Sequence, residues 1–568
     1  MSRPIYFHKS CSYRIWRCLG CCFLFLAWPL DAAELESALA ALEAGNGQQA
    51  FSELSELAEE GNPQAQVNLA KLYIEGEVVE QDVGEANRLY ALAAEAGNPE
   101  ALVYQGDLSF AGVEGVPDME SAIALYEAAA DQDYPPAYVK LAFMYLNGQG
   151  VERDYDEAVD LFNEAAAQGD NQALVSLGNL YLNGEGVEQD LEEAFGFYQQ
   201  ASDAGFAPAQ MNLGNLYYQG SGVAQDFDQA VALYRAAADQ AYPPAQVALA
   251  NLYVDGYLVE QDYEEAVRLY TAAADESNAQ AIYWLGWMYE NALGVDEDFN
   301  QALRLYERAA DFGSARAQYT LGMKYDRGEG YPQNATIAAS LFQLASQQEF
   351  TLAQVALANK HYLGQGIPQN FSEALRLYNL AANKQNPEAQ TNLGVMYTNG
   401  QGVNQDFAEA VRLYRLAVAQ DYAQGMLNLG WMYANGLGVE QDFAEALAIY
   451  QQAAEQNNAQ AMLNLGMLYV NAQGTPQDLE AAVSNFRAAA TLGYAPAQAN
   501  LAIMYANGLG VPMPSLVDAY MWAQLAAEQN NQQAQAYLQD LESRLSSEQI
   551  VEAMEKARVC AESNFSDC

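Results

Sequence analysis

A 36-residue period governs this chain. From Ala65 the same pattern returns at Ala101, Ala137, Ala173, Ala209, Ala245, Ala281, Ala317, Ala353, Ala389, Gly425, Ala461 and Ala497, with no residue gained or lost across twelve steps. Units so regular and so short cannot each enclose a core, so they must stack and complete one another's. Taking each Ala (or Gly425) as offset 0, Leu occupies +4 in twelve of thirteen units, Gly or Ala +5 in all of them, and Tyr +8 in eleven. At about 100° per residue these offsets share one face, which predicts an amphipathic helix, A, whose small +5 residue admits a close neighbour.

A Gly-x-Gly-Val segment then interrupts the pattern, as at Gly148–Val151, Gly184–Val187 and Gly436–Val439. Asp or Asn follows at +17 in twelve units. That residue predicts the N-cap of a second helix, B, and the Glu three positions on in Asp82/Glu85, Asp154/Glu157, Asp262/Glu265 and Asp442/Glu445 predicts a reciprocal capping box. Helix B carries Ala at +21, an aromatic ring at +25 in every unit from Tyr90 to Trp522, and an Ala pair near +28. The expected fold is all-α, a superhelical α-solenoid of about thirteen helix-turn-helix repeats over residues 65–529. Residues 33–64 and 530–568 are expected to cap its two ends. In the second cap a helix starts near Ser546, with Gln549 three residues on.

Residues 1–32 have the charge order of a secretory signal peptide: Arg3, Lys9, Arg14 and Arg17, then the apolar run Cys18–Leu30, then Ala32 and Ala33. Export to the periplasm or the extracellular space is the expectation. No later stretch reaches eighteen consecutive apolar residues, so no integral membrane segment is expected in the mature chain. Cys11, Cys18, Cys21 and Cys22 leave with the leader, and Cys560 and Cys568 remain either as a small disulfide loop or as two thiols on a tail.

The chain holds 74 acidic and 24 basic residues, a formal net charge of −50, and loss of the leader makes it three charges more acidic. It cannot neutralise a run of phosphates, which argues against nucleic acid as a partner. With His8 and His361 as the only histidines, metal sites and His-based catalysis lack raw material, and no metal or cofactor is expected. There is no Gly-x-Ser-x-Gly elbow and no phosphate-cradling loop, and the Gly-x-Gly segments are repeat punctuation. No catalytic residue is expected.

The pattern Ala-x-x-x-Leu-Gly-x-x-Tyr-x-x-Gly-x-Gly-Val-x-x-Asp-x-x-x-Ala-x-x-x-Tyr-x-x-Ala-Ala is complete from Ala209 to Ala238 and nearly so from Ala173 to Ser202 and from Ala389 to Val418. It resembles the Sel-1-like repeat family, relatives of tetratricopeptide repeats. The resemblance implies protein–protein scaffolding. It also implies exported bacterial roles in envelope assembly, in host contact and in signalling to membrane kinases. The per-repeat cysteines of some members and the C-terminal anchor of the eukaryotic quality-control adaptor are absent.

Positions that recur belong to packing, so binding is sought where units depart from the pattern or face away from the core. Offset +6 points opposite the +4/+8 face and, by analogy with related solenoids, lines a concave groove. Phe143, Trp287, Met323, Asn359 and Trp431 stand there, with Trp284 at +3. These large side chains are either docking anchors or packing against the adjacent helix A. Asn179, Asn215 and Asn251 at +6, and Asn392, Asn428, Asn464 and Asn500 at +3, form ladders that could bond the backbone of an extended peptide, or are simply polar surface. Lys324 and Lys360 replace Leu or Met at +7, within a stretch (300–384) of eight basic and six acidic residues. That stretch is either the docking segment or repeat drift with local charge balancing. The leading function is a non-enzymatic scaffold for a protein or peptide partner in the bacterial envelope. The alternatives are a periplasmic regulator of a membrane sensor kinase and, behind it, a cell-wall enzyme.

Overall fold

In a computed structural model of the protein, residues 28–112, 116–563, 565 and 568 are described. They form thirty α-helices, from Trp28–Glu43 to Ser547–Glu562. Most of the expected leader lies outside the described residues, and the first helix begins at Trp28. The chain divides into an N-terminal body ending at Asp262 and a C-terminal body beginning at Tyr263. Within each body helices A and B of a repeat pack together, and helix B packs on helix A of the next repeat. No helix among the described residues is long and apolar enough to cross a membrane.

The Ala173 repeat shows why the sequence folds locally as it does. Helix A (Asn171–Asn183) starts at Asp170, whose side chain accepts from the Ala173 amide, and stops at Gly184, in the left-handed region at φ 71°. Asp190 then caps helix B (Leu191–Asp203) by accepting from the amides of Glu192 and Glu193. Its own amide donates to Tyr181 O at 2.9 Å. The neighbouring Gln189 closes the loop by donating from Nε2 to Leu182 O at 2.7 Å. The same bond recurs at Gln225, Gln369 and Gln441, so the repeated Gln-Asp pair ties helix A to helix B. Where the loop has a second glycine, it meets the preceding repeat: at Gly438, φ 69°, a Cβ would collide with the Phe407 carbonyl at the start of the previous helix B.

Ala173, Leu177 and Leu180 of helix A and Ala194, Tyr198 and Ala201 of helix B are all buried. Gly178 makes room for the Tyr198 ring, since a Cβ there would stand 2.5 Å from Cε1. A buried glutamine at +1 joins successive pairs: Gln318 donates to Ala310 O of the preceding helix B at 3.2 Å and accepts from Gln348 at 2.9 Å.

The capping boxes need a correction. Asp82, Asp154 and Asp442 accept from backbone amides as expected. Where an arginine stands one turn on, the glutamate at the third helical position turns outward to it, Glu85 to Arg88, Glu373 to Arg376 and Glu409 to Arg412, whereas Glu157 and Glu445 have no arginine there. A charge-assisted fork one turn away outcompetes the return bond to a solvated amide. The reciprocal box does close at Ser546 and Gln549, in the last helix.

Burial pushes the phenols of Tyr90, Tyr198, Tyr234 and Tyr414 up to about 12. Unfolded, these groups ionise near pH 10, so above that pH the native chain holds more protons than the unfolded one and stability falls as pH rises. Urea midpoints are expected to be lower at about pH 11 than at about pH 8 at matched ionic strength, and equal midpoints would contradict this.

Candidate partner-binding site

The ring at +25 decides what stands at +6. Tyr198 passes over Gly178 and donates its hydroxyl to Asn179 Oδ1 at 2.6 Å. Tyr234 does the same to Asn215 at 2.8 Å, Tyr378 to Asn359, and Tyr126 to Asp107 at 2.7 Å. In two repeats where +6 cannot accept, the phenol finds another partner. Beside Trp287, Tyr306 donates to Glu290 at 2.6 Å; beside Val395, Tyr414 bonds Thr398 at 3.0 Å. Where the ring is Phe and has no hydroxyl, +6 is apolar: Phe143 packs edge-on against Phe162 at 5.2 Å, Met323 shares a repeat with Phe342, and Met467 with Phe486.

This corrects the expected ladder. The oxygens of Asn179, Asn215 and Asn359 already accept from buried phenols, because a small +5 residue lets the ring reach the flank of helix A. Asn251 is half-buried at the same offset. At +3, Asn392 donates to Asn359 at 3.2 Å, Asn428 accepts from Gln424 at 3.2 Å, and Asn500 donates to Pro496 O at 2.8 Å. These asparagines do not form an open row of backbone acceptors.

Lys324 and Lys360 are corrected as well. Both are only 5% exposed, because +7 faces the core. Lys324 Nζ pairs with Glu290 at 2.5 Å and lies 5.0 Å from the centre of the Phe299 ring. Lys360 Nζ pairs with Asp326 at 2.5 Å and reaches Gln365 at 3.4 Å. A buried ammonium must be paired, and the carboxylate comes from +9 of the preceding repeat in both cases. Those lysines pair successive repeats and are not exposed surface charges. The missed signal was an opposite charge 34 residues upstream of each.

Trp284 and Trp287 are half-buried and meet edge-on at 5.7 Å. The exposed guanidinium of Arg316 lies over Trp284 at 5.4 Å, with Tyr283 at 5.9 Å and Phe350 at 6.0 Å. Trp431 is 44% exposed. Cys560 and Cys568 are joined by a disulfide, with Cα atoms 4.8 Å apart.

Four of the expected residues, Met323, Asn359, Lys360 and Asn392, come together around one pocket of about 500 Å³ in the C-terminal body. Phe143 belongs to the other body, and Trp284, Trp287 and Trp431 lie outside the lining. Sequence reading passed over Tyr362, Leu363, Val395 and Glu388, which also line it. Glu388 accepts from Asn359 Nδ2 at 3.2 Å. Its signal was legible: at the residue before the repeat's first Ala, Glu occurs twice in thirteen units, at Glu100 and Glu388.

A solved structure of a protective antigen present in uropathogenic Escherichia coli strains, displaying an SLR fold, is 29% identical over 78% of this chain and 96% of that one, with a TM-score of 0.59. A Sel1 repeat protein from Oxalobacter formigenes is 30% identical over 55% of this chain and 91% of that one, with a TM-score of 0.39. No curated protein matches the chain. The Sel1 repeat itself matches thirteen consecutive segments, from 63–98 to 495–531, in step with the helix pairs described above. Its last segment runs one residue longer than the others, and the chain belongs to the Sel1 repeat family.

Proposed function

We propose that the protein is a non-enzymatic scaffold that is exported to the periplasm or beyond and binds a protein or peptide partner on the helix A side of its C-terminal body. The observation that carries this reading is the tandem array itself. Thirteen Sel1 repeats spend their recurring side chains on packing and leave a long surface for contact. Departures from the pattern gather between Trp284 and Trp431, where half-buried tryptophans, an exposed arginine on aromatic rings and a pocket follow one another along successive repeats. Aromatic side chains and arginine are the residue types that most often anchor protein interfaces. Export rests on the charge order of residues 1–32, and the relative described as a protective antigen supports it.

Affinity capture from an envelope extract tests the reading. The native chain is expected to retain a discrete partner that a Trp284→Ala, Trp287→Ala, Trp431→Ala variant loses, with circular dichroism showing both folded. Capture no richer than that of an unrelated helical repeat protein would overturn it. Cell fractionation that finds the chain in the cytoplasm would overturn the export half.

A further inference from the structure

The first and ninth repeats solve the same local problem in two ways. In the first, Lys71 at +6 sends its ammonium to Glu100 of the next repeat, at 2.6 Å. In the ninth, the same two positions hold Asn359 and Glu388, and the neutral amide gives Glu388 one bond at 3.2 Å and no charge. Among the described residues no cation pairs with Glu388. Where the lysine of the first repeat would project, the 500 Å³ pocket opens.

The pocket's chemistry suits what is missing. Asp326 and Lys360 in its wall neutralise each other, which leaves Glu388 as the uncompensated charge. Burial first, and the Glu388 carboxylate second, raise the phenols of Tyr319 and Tyr422, so its field reaches the surrounding rings. Met323, Leu363 and Val395 offer apolar surface, and Tyr362 and Tyr378 offer aromatic surface. A long apolar stem with a cationic tip matches both parts.

We infer that this pocket receives a lysine or arginine side chain from the protein partner, with Glu388 as its counterion in the place that Lys71 fills for Glu100. The inference rests on the scaffold reading and specifies which residue type that partner presents. The internal Lys71–Glu100 pair is the precedent within the same chain, so the geometry of the missing ligand is already written once in the fold.

The test uses the full chain with ¹³C-methyl methionine, reading the Met323 methyl signal, identified by its loss in Met323→Leu. The probes are N-acetyl-arginine methylamide and N-acetyl-lysine methylamide, their neutral counterparts built on citrulline and norleucine, and spermidine. Met323 is expected to shift saturably with both cationic amides, with a Kd on the order of 1–10 mM for ligands this small. The neutral amides should not move it. Glu388→Gln should weaken binding about tenfold or more, and Asn359→Lys, which installs the first repeat's own cation, should abolish it with the helical spectrum unchanged. Equal shifts from the neutral amides, unchanged binding in the two variants, a shift from spermidine alone, or no shift at all would each overturn the inference. If the amides fail while the native chain still captures a partner from the envelope, the scaffold stands and only this pocket's role falls. If the amides bind while capture fails, the pocket's selectivity for a cationic side chain stands, but the scaffold falls and with it the protein partner as the source of that side chain.

Discussion

Lys324→Ala is expected to destabilise the C-terminal body by about 3 kcal/mol, near the lower end for removing one partner of a buried ion pair, because Glu290 keeps some access to water. The loss has two sources. The ammonium no longer balances Glu290, and the stem no longer fills the core face at +7, where the next repeats but one hold Met396 and Met432. Replacing the whole device should cost far less than breaking it. In the Ala389 repeat, Thr398 takes the phenol of Tyr414, and Met432 fills +7 of the following repeat. Lys324→Met with Glu290→Thr reproduces that arrangement around Tyr306, and its stability should lie within about 1 kcal/mol of native. Urea midpoints and native-state hydrogen exchange over residues 281–360 would measure both, since in a stacked array the damage stays near its source. A double variant as unstable as Lys324→Ala would show that the charge pair does something its apolar counterpart cannot.

Tyr198→Ala is expected to cost about 4 kcal/mol, the scale of removing a fully buried aromatic side chain. Tyr198→Phe keeps the ring over Gly178 and should cost only about 1 kcal/mol, because it deletes one hydrogen bond and strands the Asn179 oxygen at a position where water can reach it. The pairing of Phe342 with Met323 and of Phe486 with Met467 makes a sharper prediction. Adding Asn179→Met to Tyr198→Phe should recover most of that loss, while Asn179→Met alone leaves the phenol without its acceptor and destabilises. A double-mutant cycle with no coupling would contradict the claim that +25 selects +6.

The helix pairs, their caps and the core face were legible because a strict period repeats each signal thirteen times, and the stacking of neighbours follows from that period. The site was less legible, for a geometrical reason. A helical wheel treats helix A alone and sets +6 opposite the core, but the partner of +6 is a ring 19 residues later in another helix. The lysines misled in a different way. Their charge was read as a surface property, although +7 holds a buried Leu or Met in most other repeats, and their partners lie 34 residues upstream. Glu388 was overlooked because it precedes the helix face that was searched. Aligning the repeats column by column for complementary pairs, rather than for conserved types, would have found Glu290, Asp326 and Glu388 from sequence.

Site-specific photo-crosslinking in cells tests most directly whether the helix A side of the C-terminal body is a binding surface. A photoreactive phenylalanine would replace Leu363 or Trp431, both exposed on helix A, or Leu344 or Leu416, both exposed on helix B. The account predicts a discrete protein adduct from 363 and 431 and none from 344 and 416. Adducts of equal yield from all four positions, or from the helix B positions alone, would contradict it.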